Sequence, residues 1–347
     1  MPEHASGGVK LTVVGEAPGK TEVNQGRPFV GPSGKMLERG LATIGLKRSD
    51  VQWTNAVLCD CRENQLEEAR SCCEQRLHDE LAPMKSAASR ALSGAPVMTV
   101  GALALRSVLR KPQAQILKYR GSVIQEGGRT VLPTIHPAFV MREPAWGVVL
   151  ERDVARVGRF MLGGKPVPPV QFEVIRGLHG LGMTLGAMGR VVSFDVETLE
   201  LGPTETPLIC YALSDGERTA VVPWSTGRDG TGSFWGAHEK VASEVTSICF
   251  RNRKVIMQNG EAFDAIVAKR YGIEIAEWGD TLLAYHVLES HLPKNLAHIA
   301  TQFLDLRPWK MSEERHASLE ALYEYNATDA WVTIKLWYEL EKRLSNA

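Results

Sequence analysis

Short apolar runs alternate with amphipathic stretches along the first half of the chain. Apolar runs bounded by glycine or proline are typical of buried strands, and apolar positions three and four residues apart are typical of helices. The pattern predicts strands at 11–14, 52–58, 96–100 and 130–134, and helices at 34–41, 67–81, 102–109 and 148–161. Strands that alternate with helices predict a three-layer α/β/α domain with a parallel sheet.

A proline- and glycine-rich stretch, GGKPVPP at 163–169, separates this pattern from a second one. Such a composition is typical of a linker. We therefore expect a first domain over residues 1–163, a linker at 164–169 and a second domain over 170–347. The second pattern predicts one sheet followed mostly by helices, with strands at 191–197, 207–213, 218–223 and 254–257 and a helix at 235–250.

Composition restricts the possible partners and the compartment. The chain has 40 basic and 40 acidic residues, so any contact with DNA must come from local basic patches and not from a global field. There is no apolar run of about 18 residues, which predicts no membrane span. Residues 1–10 carry no secretory signal, and six cysteines in a chain without one indicate a reducing compartment. We expect the cytoplasm of a bacterial or phage-infected cell.

Carboxylates interrupt one of the apolar runs in the second domain. Asp195 and Glu197 lie two residues apart in the predicted strand VVSFDVET, so both side chains point to the same face. Placing two carboxylates on one face beside a core is unfavourable unless a cation neutralises them. The spacing therefore indicates a cation site.

Three further residues complete this set. Tyr325 and Asp329 are four residues apart in a predicted helix and share one of its faces, and Asp264 follows a short apolar strand. Four carboxylates and a tyrosine at strand ends and on a covering helix are the parts of a two-metal phosphodiester hydrolase. Ligands that are all oxygen favour two Mg²⁺ or Mn²⁺ ions over Zn²⁺.

The motifs around these residues resemble a known family. FDVET at 194–198, NGEAFD at 259–264 and YNATDA at 325–330 resemble the three exonuclease motifs of the DEDD superfamily, in its tyrosine branch. DTLLAYHVL at 280–288 and LPKNLA at 292–297 are similar to the proofreading domain of family A DNA polymerases. The resemblance implies a ribonuclease H-like fold with a mixed sheet and hydrolysis of single-stranded 3′ ends. Related domains also trim RNA ends, so the choice between DNA and RNA stays open.

The resemblance also implies a role for each residue. Asp195, Glu197 and Asp329 would hold the first ion. Asp195 would also hold the second, with Asp264 acting through water. Tyr325 would orient the attacking water.

Four motifs of the first domain resemble the uracil-DNA glycosylase superfamily. They are GEAPG at 15–19, GRPFVG at 26–31, WTN at 53–55 and PTIHPA at 133–138, and the family 4 branch, the iron–sulfur type, is the most similar. The resemblance implies a pocket for a base that has been flipped out of the DNA stack. Uracil-containing DNA would be the substrate, and the same pocket could take a modified pyrimidine.

The resemblance assigns the pocket residues as follows. Phe29 would stack on the base, and Asn55 would read its Watson–Crick edge. Residues 15–17, which end in Ala17, would contribute backbone amides, and Glu16 would lie beside the departing sugar. His136 would bond the uracil O2 and stabilise the leaving anion.

Two further features of this domain bear on DNA contact and activity. Phe139, Val140 or Met141 would be the apolar wedge that fills the vacated stack, and Arg142 would contact phosphate. The best-known glycosylases of the superfamily position water with an Asp where this chain has Ala17, but family 4 also lacks that Asp.

The cysteines depart from the family 4 pattern. Members of that branch hold a [4Fe–4S] cluster with four cysteines, two of them in a CxxC just before the first strand, and residues 1–10 contain none. Cys59 and Cys73 match the two downstream ligands, and Cys61 and Cys72 are additional neighbours. Four thiolates in this window could hold a cluster or zinc, and the alternative is four reduced cysteines.

Two functions from different classes follow. One is a repair or replication enzyme that excises uracil and degrades DNA from 3′ ends. The other is an exonuclease whose first domain binds only DNA or a partner, such as a separate DNA polymerase. A weaker third reading is an interaction module for a polymerase.

Overall fold

The computed structural model describes residues 2, 3, 5, 8–82, 95–200, 202–310 and 317–346. The chain forms two compact units. The first comprises Met1–Val167 together with Leu304–Pro308, and the second comprises Pro168–Phe303 and Trp309–Ala347.

A five-stranded sheet lies at the centre of the first unit, in the order β2-β1-β3-β5-β4. β1, β2, β3 and β5 are mutually parallel along this order, and β4 is antiparallel to β5. Gly127 and Gly128 both have positive φ angles, 55° and 78°, which a two-residue hairpin turn requires. The strands are β1 (Leu11–Gly15), β2 (Val51–Asn55), β3 (Val97–Val100), β4 (Ile124–Glu126) and β5 (Arg129–Thr134).

Helices of the first unit connect these strands and pack their apolar faces on the sheet. Leu37 and Leu41 are buried on the second helix, and Val154 and Val157 on the seventh. The helices are α1 (Lys20–Gln25), α2 (Pro32–Thr43), α3 (Leu66–Leu81), α4 (Ala102–Leu109), α5 (Ile116–Tyr119), α6 (Pro137–Arg142) and α7 (Gly147–Met161).

A buried ion network ties α7 to β5. Asp153 accepts hydrogen bonds from Arg120 at 2.7 Å, from Arg156 at 3.1 Å and from the hydroxyl of Thr134 at 2.8 Å. Arg156 also donates to Asp305 at 2.9 Å, which anchors the Leu304–Pro308 segment in this unit. Because the network is almost completely buried, losing one member would leave a charge without its partner.

The second unit contains a six-stranded mixed sheet in the order β11-β10-β7-β8-β9-β6. β7, β8 and β9 are antiparallel neighbours, whereas β10 and β11 run parallel to β7 and β6 runs parallel to β9. The strands are β6 (Glu173–Val174), β7 (Val191–Thr198), β8 (Leu208–Ser214), β9 (Thr219–Pro223), β10 (Lys254–Met257) and β11 (Glu277–Asp280).

Apolar clusters lie on both faces of this sheet. Phe194, Tyr211 and Phe250 belong to the larger cluster, and Ala212 and Ala327 to the other. The helices of the unit are α8 (Leu178–Ala187), α9 (Glu239–Phe250), α10 (Asp264–Arg270), α11 (Thr281–Leu288), α12 (Leu296–Phe303) and α13 (Leu319–Leu344).

The long helix α13 lies against β7, with the hydroxyl of Ser193 donating to the carbonyl of Ala330 at 2.6 Å. A small or hydroxyl side chain on β7 lets the helix approach closely. This contact sets the register between the strand that carries Asp195 and the helix that carries Asp329.

The predicted two-domain α/β architecture, with a mostly parallel sheet followed by a mixed one, is confirmed. The hairpin strand β4, the short strand β6 and helix α8 were not predicted. β6 has two residues, which is too short for a periodic signal. In the part of the chain that the structure describes, no helix has the length and apolarity needed to cross a membrane.

Candidate active sites

The residues expected to line a base pocket come together at the carboxyl ends of the parallel strands. Gly15 ends β1, where it pairs with Asn55 at the end of β2, and His136 follows β5. This edge of an open α/β sheet is where ligands usually bind, because the loops that leave neighbouring strands converge there.

Phe29 is held close to Asn55 at this edge of the sheet. Its backbone φ of 54° lies in the left-handed region, which is unfavourable for a large side chain and marks a constrained position. A Cβ atom at Gly15 would lie 2.3 Å from the Asn55 Oδ1 and 2.6 Å from the Phe29 ring, so this position requires glycine. The Phe29 ring centroid is 5.0 Å from that of Trp53.

Arg48 holds the loop that carries Phe29, a role that the sequence analysis did not predict. Its guanidinium donates to the carbonyl of Pro28 at 2.6 Å and to that of Phe29 at 3.3 Å, and it lies 5.0 Å from the ring centroid of Trp53. Two hydrogen bonds from one guanidinium fix the strained loop. Nothing in the local pattern of an arginine near a turn indicates such a role.

His136 begins helix α6, and its ring is oriented by the helix. The Nδ1 atom accepts a hydrogen bond from the amide of Ala138 at 3.1 Å, so the neutral ring carries its proton on Nε2. Burial lowers the pKa of His136, although the charge of Glu16 opposes this effect. Glu16 accepts from the amide of Leu103 at 3.0 Å.

Residues expected to contact DNA differ in exposure. Val140 is buried, and Phe139 packs edge-on against Trp146 with centroids 5.2 Å apart. Met141 is 50% exposed and Arg142 is also exposed. Of the three candidate wedge residues, Met141 is therefore the one whose side chain is available to a ligand. Ala17 is half-buried in the loop after β1.

The four neighbouring cysteines have free thiols. Cys59 and Cys72 are exposed, whereas Cys61 and Cys73 are half-buried. Burial raises the pKa of the Cys61 thiol, and Cys59, Asp60 and Cys73 raise it further, so these groups lie near one another. Among the described residues, the acidic group below is the one set of three or more potential metal ligands whose atoms all lie within 4.8 Å of one another. An iron–sulfur cluster stays a prediction.

In the second unit, strand β7 and helix α13 bring three carboxylates together. Oxygen atoms of Asp195, Glu197 and Asp329 all lie within 4.8 Å of one another. Asp264, at the start of α10, accepts from the amide of Val196 at 2.9 Å, which places it beside the strand between the two β7 carboxylates. We call these four residues the acidic cluster.

The carboxylates perturb one another strongly. Burial raises the pKa of Asp195 well above its ordinary range, and the charges of Asp329, Asp264 and Glu197 add to this effect. Burial likewise raises the pKa of Asp264 to about 7. Repulsion among neighbouring carboxylates fits a site for divalent cations, because a bound cation would offset it.

Two side chains that the sequence analysis missed support the acidic cluster, Asn326 by direct contact and Asp280 through the loop that leads from β10 to Asp264. Asn326 is fully buried, and its amide donates to both the backbone oxygen and the Oδ2 of Asp195, at 3.1 and 2.7 Å. Asp280 accepts from the amides of Asn259, Gly260 and Leu282 at 3.0, 2.9 and 2.7 Å. Asn326 lies in the motif YNATDA and Asp280 in the motif DTLLAYHVL. Their positions inside these motifs were the one sequence signal that could have indicated a supporting role.

The acidic cluster opens into a cavity of about 870 Å³. Tyr325 lines it, and burial raises the pKa of its hydroxyl to about 12, so the phenol stays protonated at neutral pH. Basic side chains of Arg228, Lys294 and Lys310 also line the cavity. A cleft with carboxylates at its base and cations on its walls is suited to a polyanionic chain.

Comparison with protein families matches each unit to a known one. The model of the uracil DNA glycosylase superfamily matches residues 2–152, and the model of a 3′-5′ exonuclease matches residues 177–345. The type-4 uracil-DNA glycosylase of Thermotoga maritima is 34% identical over 137 residues, which cover 38% of this chain and 67% of the relative.

Two other proteins resemble the chain more distantly. A DNA polymerase of Bacillus phage SP01 is 25% identical over 240 residues, covering 62% of this chain and 24% of the polymerase. Brucella melitensis NrnC with bound Mg²⁺ is 21% identical over 52% of this chain and 83% of its own, with a TM-score of 0.39.

These matches define a hydrolytic, DNA-processing enzyme with two domains. The chain belongs to the uracil-DNA glycosylase superfamily, with type-4 relatives, and carries in addition a 3′-5′ exonuclease domain.

Proposed function

We propose that the first unit excises uracil, or a modified pyrimidine, from DNA and that the second hydrolyses DNA from its 3′ ends with divalent metal ions. The observation that carries the nuclease half is the convergence of Asp195, Glu197 and Asp329 within 4.8 Å. The glycosylase half is supported by the proximity of Phe29 and Asn55 at the carboxyl ends of the parallel strands.

Excision would use the fixed tautomer of His136. As the glycosidic bond breaks, its electron pair passes to the base, and negative charge develops on the uracil O2. The Nε2 proton is available to bond that oxygen, because Nδ1 already accepts from the amide of Ala138. Phe29 would stack on the base and Asn55 would read its edge, while the Glu16 carboxylate would face the sugar, where positive charge develops. Water then adds to the sugar cation, and the proton that it releases neutralises the departing uracil anion.

Hydrolysis would take place at the acidic cluster. Asp195, Glu197 and Asp329 would hold one Mg²⁺ or Mn²⁺, and Asp195 with Asp264 would hold a second. When bound, the ions supply an activated water and stabilise the leaving 3′ oxygen. The Tyr325 hydroxyl, which is protonated at neutral pH, would donate to the attacking water and orient it.

Two assays with two variants test this proposal. A 5′-labelled single strand with one internal uracil is incubated with the wild type, Asp195→Ala or His136→Ala, in Mn²⁺ or in EDTA. We expect alkali-labile breaks at the uracil in EDTA, lost in His136→Ala, and 3′ shortening in Mn²⁺, lost in Asp195→Ala. No shortening by the wild type in Mn²⁺ would overturn the nuclease half, and no breaks in EDTA would overturn the excision half.

A second candidate function is an exonuclease whose first unit binds DNA or a polymerase without releasing bases. The similarity to the SP01 DNA polymerase favours this second function. The aligned region covers 62% of this chain, which is more than either family model covers by itself. Here a separate polymerase would be the partner. Shortening in Mn²⁺ without breaks in EDTA, together with retained binding of the uracil strand, is the outcome that would favour this function.

The iron–sulfur cluster is tested separately. Iron and sulfide analysis of anaerobically purified protein should find about four of each per chain if Cys59 and Cys73 contribute to a [4Fe–4S] cluster. Purified protein without iron would show that the chain holds no iron–sulfur cluster. This result would not affect the proposed excision and nuclease activities.

A further inference from the structure

Two consecutive residues outside the helices, Trp309 and Lys310, reach into the acidic cluster. The indole Nε1 of Trp309 donates to the Oδ1 of Asp329 at 2.6 Å, and the ammonium of Lys310 donates to its Oδ2 at 2.6 Å. Both oxygens of one proposed metal ligand therefore have protein donors. Neither residue belongs to the motifs that predicted the site.

Lys310 also contacts the second functional group on the helix. Its ammonium donates to the Tyr325 hydroxyl oxygen at 3.1 Å and lies 5.2 Å from the centroid of that ring. A phenol oxygen that accepts from an ammonium has its own proton directed elsewhere. Lys310 thus restricts the directions in which the Tyr325 hydroxyl can donate.

The contacts of Lys310 differ from those of another lysine in the same cavity. Lys294 donates to the backbone carbonyls of Glu289 and Ser290 at 3.0 and 2.9 Å, which ties its ammonium to a loop. Lys310 instead forms an ion pair with the nearly buried carboxylate of Asp329. Its charge offsets part of the repulsion that the four carboxylates exert on one another.

We propose that Lys310 is a positioning residue of the nuclease site, which fixes the Tyr325 hydroxyl and Asp329 for hydrolysis and in doing so weakens the hold on divalent ions. This inference rests on the proposed nuclease function. The two effects have opposite signs because one positive charge both orders the catalytic groups and competes with a metal for Asp329. A unit charge a few ångströms from a divalent ion repels it even in a water-like dielectric.

The test compares Lys310→Met, which is close in length but neutral, with Lys310→Arg, which keeps the charge but moves its donors. Mn²⁺ affinity is measured by titration followed by electron paramagnetic resonance. The kcat and KM on a single-stranded oligonucleotide are measured at saturating Mn²⁺. Lys342→Met removes one exposed charge from α13, the helix that carries Tyr325 and Asp329, and is the matched control.

For Lys310→Met we expect Mn²⁺ to bind about tenfold tighter, from the loss of the competing charge, and kcat to fall by about tenfold to a hundredfold with little change in KM. Lys310→Arg should keep wild-type Mn²⁺ affinity with a reduced kcat. The control should match the wild type in all three quantities.

Two outcomes would overturn the inference. If Lys310→Met loses both Mn²⁺ affinity and kcat, the contact is merely structural. If neither quantity changes, Lys310 does not contact Asp329 and Tyr325 in solution. A wild-type protein that binds Mn²⁺ but leaves DNA intact would instead refute the nuclease proposal, and the Mn²⁺ titration would still decide whether Lys310 opposes metal binding.

Discussion

Replacing Asp264 by Asn should stabilise the metal-free protein at pH 8 while abolishing its nuclease activity. Burial raises the pKa of Asp264 from 3.8 to about 7, so the folded state holds this proton more tightly than the unfolded state. Folding stability from this group is therefore complete below about pH 4 and is lost as the pH rises towards 7. An amide of the same shape keeps the bond from the amide of Val196 without the charge.

The size of the effect follows from the pKa difference. About three pKa units at ~1.36 kcal/mol each correspond to about 4 kcal/mol as an upper value. We expect about 2–4 kcal/mol, because a charged Asp264 is partly relieved by proton uptake on its neighbours. For a unit of this size, that corresponds to a rise of about 5–10 °C in the unfolding temperature.

The assay is calorimetry in EDTA at pH 4 and pH 8, following the transition of the second unit. The gain should appear at pH 8 and be nearly absent at pH 4. Asp280→Asn is the matched control, since Asp280 is an equally buried carboxylate but accepts three backbone amides. That variant should lose about 1–3 kcal/mol at pH 8. An Asp264→Asn protein no more stable than wild type at pH 8 would refute the view of the acidic cluster as a set of mutually repelling charges.

Further predictions address the metal, the support of Asp195 and the base pocket. Mg²⁺ or Mn²⁺ should raise the unfolding temperature of the wild type more at pH 8 than at pH 5, because metal ions compete with protons for the acidic cluster. An equal rise at the two pH values would argue against these carboxylates as the metal ligands. Asn326→Ala should reduce nuclease kcat about tenfold and the free energy of unfolding by about 2 kcal/mol, since Asp195 loses two hydrogen bonds; wild-type turnover in a stable variant would contradict this. Arg48→Met should raise the KM for uracil excision several-fold by releasing the Phe29 loop, while the Mn²⁺-dependent nuclease stays at its wild-type rate. As the pH falls, excision by the wild type should decline at a lower pH than the ordinary pKa of a histidine, because burial lowers the pKa of His136; a decline that begins above that ordinary value would contradict this.

Sequence predicted eight of the eleven strands in the described part of the chain, because each of these is an apolar run, but missed β4, β6 and β11. It predicted a helical segment at Tyr325 and Asp329 but not the full extent of α13. Asp195 and Glu197 stood out because carboxylates in an apolar strand break its pattern. Arg48, Trp309 and Lys310 gave no such signal. They act from turns or extended segments on partners distant in sequence, and only the folded chain brings them within bonding distance. The hairpin of β4 was missed because its strand has three residues, although Gly127 and Gly128 were a readable turn.

The return of Leu304–Pro308 to the first unit has a practical consequence for dissecting the gene. A coding sequence that stops after the linker at 164–169 would include every residue assigned to base binding but would omit Asp305. Asp305 accepts hydrogen bonds from Arg156 at 2.9 Å and from Arg159 at 2.7 Å. It would also omit the carbonyl of Leu306, which accepts from the amide of Val123 at 2.7 Å. Such a fragment would leave the buried Arg156 without its partner Asp305. Adding the pentapeptide Leu304–Pro308 back, or fusing it to the end of the fragment, is therefore the better route to an isolated first unit.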